Sequence, residues 1–262
     1  MRIVLWIGNE SNQRALACKI HAEFPLCGIV TETRKSRVKW TITSLFEKLY
    51  EKLFLSEIGK AWWGMKSFYN GAYPNYPKVK SIDVENINST QVYQFTKDLQ
   101  PDLIIVSGTR LVKEKLLSIH PSIGILNLHT GLSPYIKGGP NCTNWCIATE
   151  QFHMIGNTIM WIDAGIDTGN IITTECTALT GEEDLSHIHI KVMDHAHELY
   201  LKAVRYLAAG KHKSISQNTI AQGKTYYTKD WGLLEKMALL RNMKKFHEQA
   251  QNGSIRLKQR DL

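Results

Sequence analysis

The 262 residues are 43% hydrophobic and 21% charged, which suits an ordinary packed core and excludes a disordered, collagen-like or coiled-coil chain. No run of about 18 apolar residues occurs, and Met1–Ile7 is too short for a signal-peptide core, so neither a membrane span nor a leader is expected. The net charge of +8 suits phosphate-bearing partners without choosing among nucleotides, RNA and lipids.

In chain order, the apolar run Arg2–Ile7 predicts a strand. Gly8-Asn9-Glu10-Ser11-Asn12 predicts a turn, and Ala15, Leu16, Ile20 and Phe24 follow at helical spacing. Cys27–Val30 predicts a second strand, completing a βαβ unit. Residues 36–70 break this rhythm as an amphipathic helical insertion carrying Trp40, Leu45, Phe46, Leu49, Leu53, Phe54, Trp62, Trp63 and Phe68. Packing on the main sheet is its expected role, ahead of a lid or a partner helix. Asn88 or Ser89 caps a helix through Leu99. Strands follow at Asp102–Ser107, Ile123–His129, Asn157–Ile162 and Ile171–Cys176, with helices at Lys113–His120, Pro140–Thr149 and Asp184–Ala209. Gly210 closes the last of these. Residues 1–210 read as one catalytic α/β domain, an open, doubly wound, mostly parallel sheet. Residues 211–262 read as an extension: a hairpin around Ala221–Lys224, then a helix and a basic tail with Arg256, Lys258 and Arg260.

The five cysteines are odd in number, widely spaced and free of CxxC. Neither a disulfide framework nor a zinc site is indicated, and the setting expected is cytoplasmic. His187, His189, His195 and His197 alternate at i, i+2 on a helix and so face apart, which predicts surface or interface roles rather than a metal site. Cys142 and Cys146 are expected to pack in the core.

Ligands of open α/β sheets bind beyond the carboxyl ends of the strands. Asn127 and His129 end a buried strand and share a face, an arrangement poorly suited to core filling. A loop with three glycines follows, Thr130–Gly139. Thirty-eight residues after His129, Asp167 lies between Gly165 and Gly169 in a tight turn. An amide, an imidazolium and a carboxylate converging there suit acyl transfer to an amine without a serine or cysteine nucleophile.

The pair of motifs Asn127-Leu128-His129 with Leu132–Gly138, and Ile162-Asp163-Ala164-Gly165-Ile166-Asp167-Thr168-Gly169, resembles the folate-dependent formyltransferases. These include the sugar-nucleotide N-formyltransferases, phosphoribosylglycinamide formyltransferase and methionyl-tRNA formyltransferase. The resemblance implies a formyltransferase-like variant of the Rossmann fold, 10-formyltetrahydrofolate as co-substrate and no metal. It implies Asn127, His129 and Asp167 as catalytic residues, with Asp163 left to turn hydrogen bonding or the folate wall. By position it implies folate contacts from Gly108, Thr109, Arg110, Leu111, Asp163, Gly165 and Ile166.

For the acceptor, Gly8–Asn12 resembles the Gly-Asn-Gly-Ser-Asn phosphate loop of phosphoribosylglycinamide formyltransferase, but Glu10 replaces a glycine and repels phosphate. A catalytic α/β domain followed by a short extension resembles the layout of the sugar-nucleotide N-formyltransferases, which implies an amino-sugar nucleotide as the acceptor, held by Asn9, Ser11, Lys137, Tyr226 and Trp231. Phosphoribosylglycinamide and methionyl-tRNA are alternatives, as are formyltetrahydrofolate hydrolysis and a non-catalytic folate-binding scaffold. The roughly 50 residues after Gly210 argue against the tRNA reading, and the start directly on a strand argues against the hydrolase. Nucleic-acid and membrane partners are not expected; a homodimer is left open.

Overall fold

Continuous apolar strands need cover on both faces, and Ile3–Gly8 (β1) is buried along its whole length at the centre of a seven-stranded sheet. The computed structural model describes residues 1–35 and 42–252. Trp40, Arg256, Lys258 and Arg260 lie outside the described residues. The other strands are Leu26–Glu32 (β2), Ser81–Val84 (β3), Leu103–Ser107 (β4), Gly124–His129 (β5), Ile136–Gly138 (β6), Gly156–Trp161 (β7), Ile171–Cys176 (β8) and Lys224–Tyr226 (β9). The main sheet runs β3-β2-β1-β4-β5-β7-β8; its first five strands are parallel, and β7 and β8 are antiparallel additions.

The helices are Ser11–Glu23 (α1), Ile42–Phe54 (α2), Ser56–Ala72 (α3), Thr90–Leu99 (α4), Glu114–Leu117 (α5), Cys142–Ala148 (α6), Leu185–Ala208 (α7) and Leu233–Gln251 (α8). Several of their starts follow capping chemistry. Ser89 accepts from the Val92 amide, Asn141 from Asn144 and Asp184 from His187. One core joins the sheet to α1, α3 and α7 through residues such as Ile3, Leu5, Ile7, Leu16, Tyr69 and Tyr200; another covers the opposite face with Val92 and Leu99 of α4. The Tyr200 hydroxyl lies 3.0 Å from the carbonyls of both Val106 and Leu126, tying α7 to the two strands that lead to the site.

Strand order reverses between β1 and β4, the crevice position expected for a ligand in such a sheet. There the two strand ends nearly touch: a Cβ on Gly8 would lie 2.7 Å from the Gly108 carbonyl oxygen.

The structure departs from the sequence reading in several places. β3 carries no apolar run, since only Val84 of its four residues is buried, and pattern reading passes over it. The predicted hairpin around Ala221–Lys224 is absent; β9 instead pairs in parallel with β6, and Lys224 N donates to Tyr135 O at 2.9 Å. The insertion divides. α3 packs on α1 and α7 and buries Met65 and Tyr69, each contributing about 1.5–3 kcal/mol of apolar burial. α2 leaves Leu45, Phe46, Leu49, Leu53 and Phe54 exposed, so it does not pack on the sheet.

Surface roles for the histidines also fail in part. His189 and His197 are buried, and burial pushes the His197 pKa down to about 3. Among the described residues no three His, Cys, Asp or Glu side chains come together as a metal set, and no helix is long and apolar enough to cross a membrane. The segment after Gly210 shares a core with the main body: Tyr226, Leu239 and Phe246 pack with Trp145, Phe152 and Ile188.

Candidate active site

A cleft of about 710 Å³ opens over the carboxyl ends of β1, β4 and β5. β5 delivers Asn127 and His129 to one side of it, as strand alternation requires. The 163–169 turn brings Asp167 to meet them, with Asp167 in the left-handed region at φ 52°, a conformation that aspartate tolerates better than most residues.

Asp167 is the hub. Its Oδ2 accepts from His129 Nδ1 at 3.1 Å and from the Gly138 amide at 3.0 Å. Its Oδ1 accepts from Asn127 Nδ2 at 3.1 Å. Gly138 has φ 89°, and a Cβ there would collide with the Tyr226 carbonyl, so glycine is required where β6 meets β9.

His129 is almost completely enclosed. Nε2 lies 2.8 Å from the Ile136 carbonyl and 3.7 Å from Cys142 Sγ. A carbonyl on one ring nitrogen and a carboxylate on the other are both acceptors, so both nitrogens must donate and the ring is an imidazolium. Burial pulls its pKa down, but the Asp167 charge, aided by Cys142 and the Ile136 carbonyl, outweighs burial and pushes it up to about 10. The loop beneath is braced by Thr158, whose hydroxyl donates to Gly131 O at 2.7 Å and accepts from Ser133 N at 3.0 Å.

The remaining residues named from sequence fall into three groups. Gly108, Thr109, Arg110 and Leu111 line the cleft on one side, and Asp163, Gly165 and Ile166 on the other. The Arg110 guanidinium is tied to the buried Glu32 carboxylate at 2.8 Å, and Arg34 holds the other Glu32 oxygen at 3.0 Å. Asp163 Oδ1 accepts from Gly165 N and from the Thr168 hydroxyl, which is turn bonding. Asn9 lines the cleft, but Ser11 is buried with its hydroxyl on the Lys66 carbonyl, and Lys137 lies outside the lining. Tyr226 contributes to the cleft wall while its ring stacks on Trp145 at 4.5 Å, and Trp231 packs edge-on against the same indole away from the cleft.

Sequence reasoning missed Cys142, which touches His129. It also missed Trp62, which lines the cleft from α3 beside His189. Adjacent aromatics on a helix point about 100° apart, which an apolar stripe can still span, so the sequence carries no signal that sets Trp62 apart from the core. Trp63 is 70% exposed.

A family model described as formyl transferase matches residues 74–204. The methionyl-tRNA formyltransferase of Methylacidiphilum infernorum is 30% identical over 134 residues, 51% of this chain and 41% of that protein. The chain thus spans about two fifths of the length of the curated relatives it matches. Two solved structures share the fold. An N-formyltransferase from Helicobacter canadensis, in complex with folinic acid and dTDP-3-aminofucose, has a TM-score of 0.59 at 14% identity, covering 93% of this chain and 81% of that one. Phosphoribosylglycinamide formyltransferase from Bacillus halodurans has a TM-score of 0.54 at 20% identity, covering 80% and 96%.

Proposed function

The chain belongs to the formyl transferase family, and we propose that it transfers a formyl group from 10-formyltetrahydrofolate to the primary amine of a nucleotide-linked amino sugar in the cytoplasm. The observation that carries the chemistry is the hub at Asp167. Two donors occupy Oδ2 and one occupies Oδ1, which leaves Oδ1 with a free lone pair beside Asn127.

When bound, the folate supplies the formyl carbon as the electrophile. The cleft suits such a group: Leu111 and Ile166, both apolar and exposed, are among its lining residues and can pack on a flat ring system. Asn127 gives one amide hydrogen to Asp167 and keeps the second for the formyl oxygen as negative charge grows there. Asp167 Oδ1 takes the proton that the attacking amine must lose and can return it to the donor nitrogen as the carbon–nitrogen bond between folate and formyl group breaks. His129 has both nitrogens engaged by the protein, so it acts through charge: it keeps Asp167 ionised and fixed rather than touching the formyl oxygen.

The acceptor reading draws support from Glu10. This residue sits at the start of α1, where its carboxylate, paired with Lys66 at 2.5 Å, is an acceptor and not the donor a phosphate needs. The Helicobacter relative, with its amino-sugar nucleotide, supports the same choice. The curated relatives favour charged initiator tRNA as the second reading. An assay with 10-formyltetrahydrofolate and three acceptors decides: amino-sugar nucleotides are expected to be formylated. Turnover with phosphoribosylglycinamide or methionyl-tRNA alone would overturn the acceptor, and turnover with none would indicate the hydrolase.

A further inference from the structure

The cleft has a second wall, built from the start of α1, from α3 and from α7. Asn12, Gln13 and His189 line it and are only 4%, 6% and 3% exposed. Each nevertheless carries a buried polar atom without a hydrogen-bond partner: Asn12 Oδ1, Gln13 Oε1 and His189 Nδ1. Native proteins leave few such atoms unpaired, because desolvating them is costly.

The three atoms share one character. Asn12 spends its amide hydrogen on Met193 Sδ at 3.0 Å, so its oxygen is the open end. His189 Nε2 lies 2.8 Å from Asn144 Oδ1 and therefore holds the ring proton, which leaves Nδ1 a bare acceptor. Burial keeps that ring neutral, with its pKa pushed down to about 4. All three atoms are acceptors enclosed in the cleft wall, so a ligand that completed them would bring donors. Phosphate brings none, and Glu10 stands on the same wall. The cations lining the cleft, Arg34 and Arg110, are both held by Glu32.

Trp62 supplies the other half of the recognition. Trp62 is 39% exposed; its ring meets the His189 ring in a T-shaped contact at 5.9 Å, and Lys66 Nζ lies over it, 5.8 Å from the ring centroid. A part-exposed aromatic side chain beside a set of unpartnered acceptors matches a ligand with a C–H face and a hydroxyl rim, which describes a saturated sugar ring. The wall also reaches the reaction centre: His189 bonds Asn144 of α6, and Cys142 on the same helix lies 3.7 Å from His129.

We infer that Trp62, Asn12, Gln13 and His189 form the subsite for the hydroxylated ring of the acceptor. The inference rests on the amino-sugar reading above and assigns the ring to α3 and α7 rather than to Tyr226 and Trp231.

The test compares an amino-sugar nucleotide with an analogue in which one ring hydroxyl is replaced by hydrogen, in the wild type, Trp62→Leu and His189→Leu. Trp62→Leu is expected to raise the sugar KM about tenfold while the folate KM holds. In the wild type the deoxy analogue that loses the His189 contact binds about tenfold more weakly, and in His189→Leu the two acceptors become equivalent, as a double-mutant cycle requires. If His189→Leu does not fold, Trp62→Leu decides alone. An unchanged sugar KM in Trp62→Leu, with turnover intact, overturns the subsite and spares the amino-sugar reading. A wild type that formylates no amino sugar overturns both.

Discussion

The two walls of the cleft differ in how their polar groups are satisfied. At the strand-end wall, Asp167, His129 and Asn127 hold one another and the Gly138 amide in a closed set of bonds. On the helical wall, three buried acceptors have no partner. A closed network needs little reorganisation when charge develops, which suits chemistry. An open one gains its missing bonds only from a ligand, which suits selection. The same residue types thus serve different ends according to whether the fold has already paired them.

The largest effect should come from opening the closed wall. Asp167→Asn removes the proposed proton acceptor, and His129→Asn removes the charge proposed to fix it. Each is expected to lower formyl transfer by at least about a hundredfold, with folding checked by circular dichroism. Retention of near wild-type turnover by either would erase the distinction between the walls. Next in size is the response to ligand: a non-reactive folate analogue at about 100 times its Kd should stabilise the native state by about 2.7 kcal/mol, read as a raised Tm. A flat response across folates would overturn folate as the co-substrate, and the folate-binding scaffold alternative with it.

The pH dependence sharpens the comparison further. His129 is raised from an unfolded value near 6.5 to about 10, so its stabilising contribution is whole below about pH 6.5. It declines as pH rises and is gone above about 10. Denaturant titrations between pH 7 and 10 should show wild-type stability falling, with a shallower slope in His129→Asn. Equal slopes would mean that the ring is not held as an imidazolium. The smallest effect belongs to Asp163→Asn, whose turn bonds an amide oxygen can still accept; turnover within about threefold of wild type is expected. A hundredfold loss there would move the proton acceptor from Asp167 to Asp163.

Much of the strand-end wall was legible because its signal is local. Asn127 and His129 share a face by simple alternation, and glycines bracket Asp167 within five residues. The continuous apolar runs of β1 and β4 announce a buried parallel sheet in the same way. The helical wall was not legible, because Trp62 at helical spacing reads like any core aromatic. The packing of Tyr226 and Trp231 was not legible for a similar reason: nothing in their neighbourhood names Trp145, about 80 residues earlier, as the ring they pack against. Strands of three residues, such as β6 and β9, are too short for a period to register.

The parallel pairing of β6 with β9 has a consequence for the making of the protein. Gly138, which donates to Asp167, sits on β6, and β6 is held by a strand that lies almost 90 residues further along. Chains leave the ribosome at about 5–20 residues per second, amino end first. Asn127, His129 and Asp167 therefore all emerge well before Tyr226, whose carbonyl receives the Gly139 amide at 3.0 Å. A nascent chain halted near Gly210 would already hold the three residues of the proposed catalytic set yet lack the strand that pairs with β6, so the Gly138 contact to Asp167 waits on translation through β9 for its support.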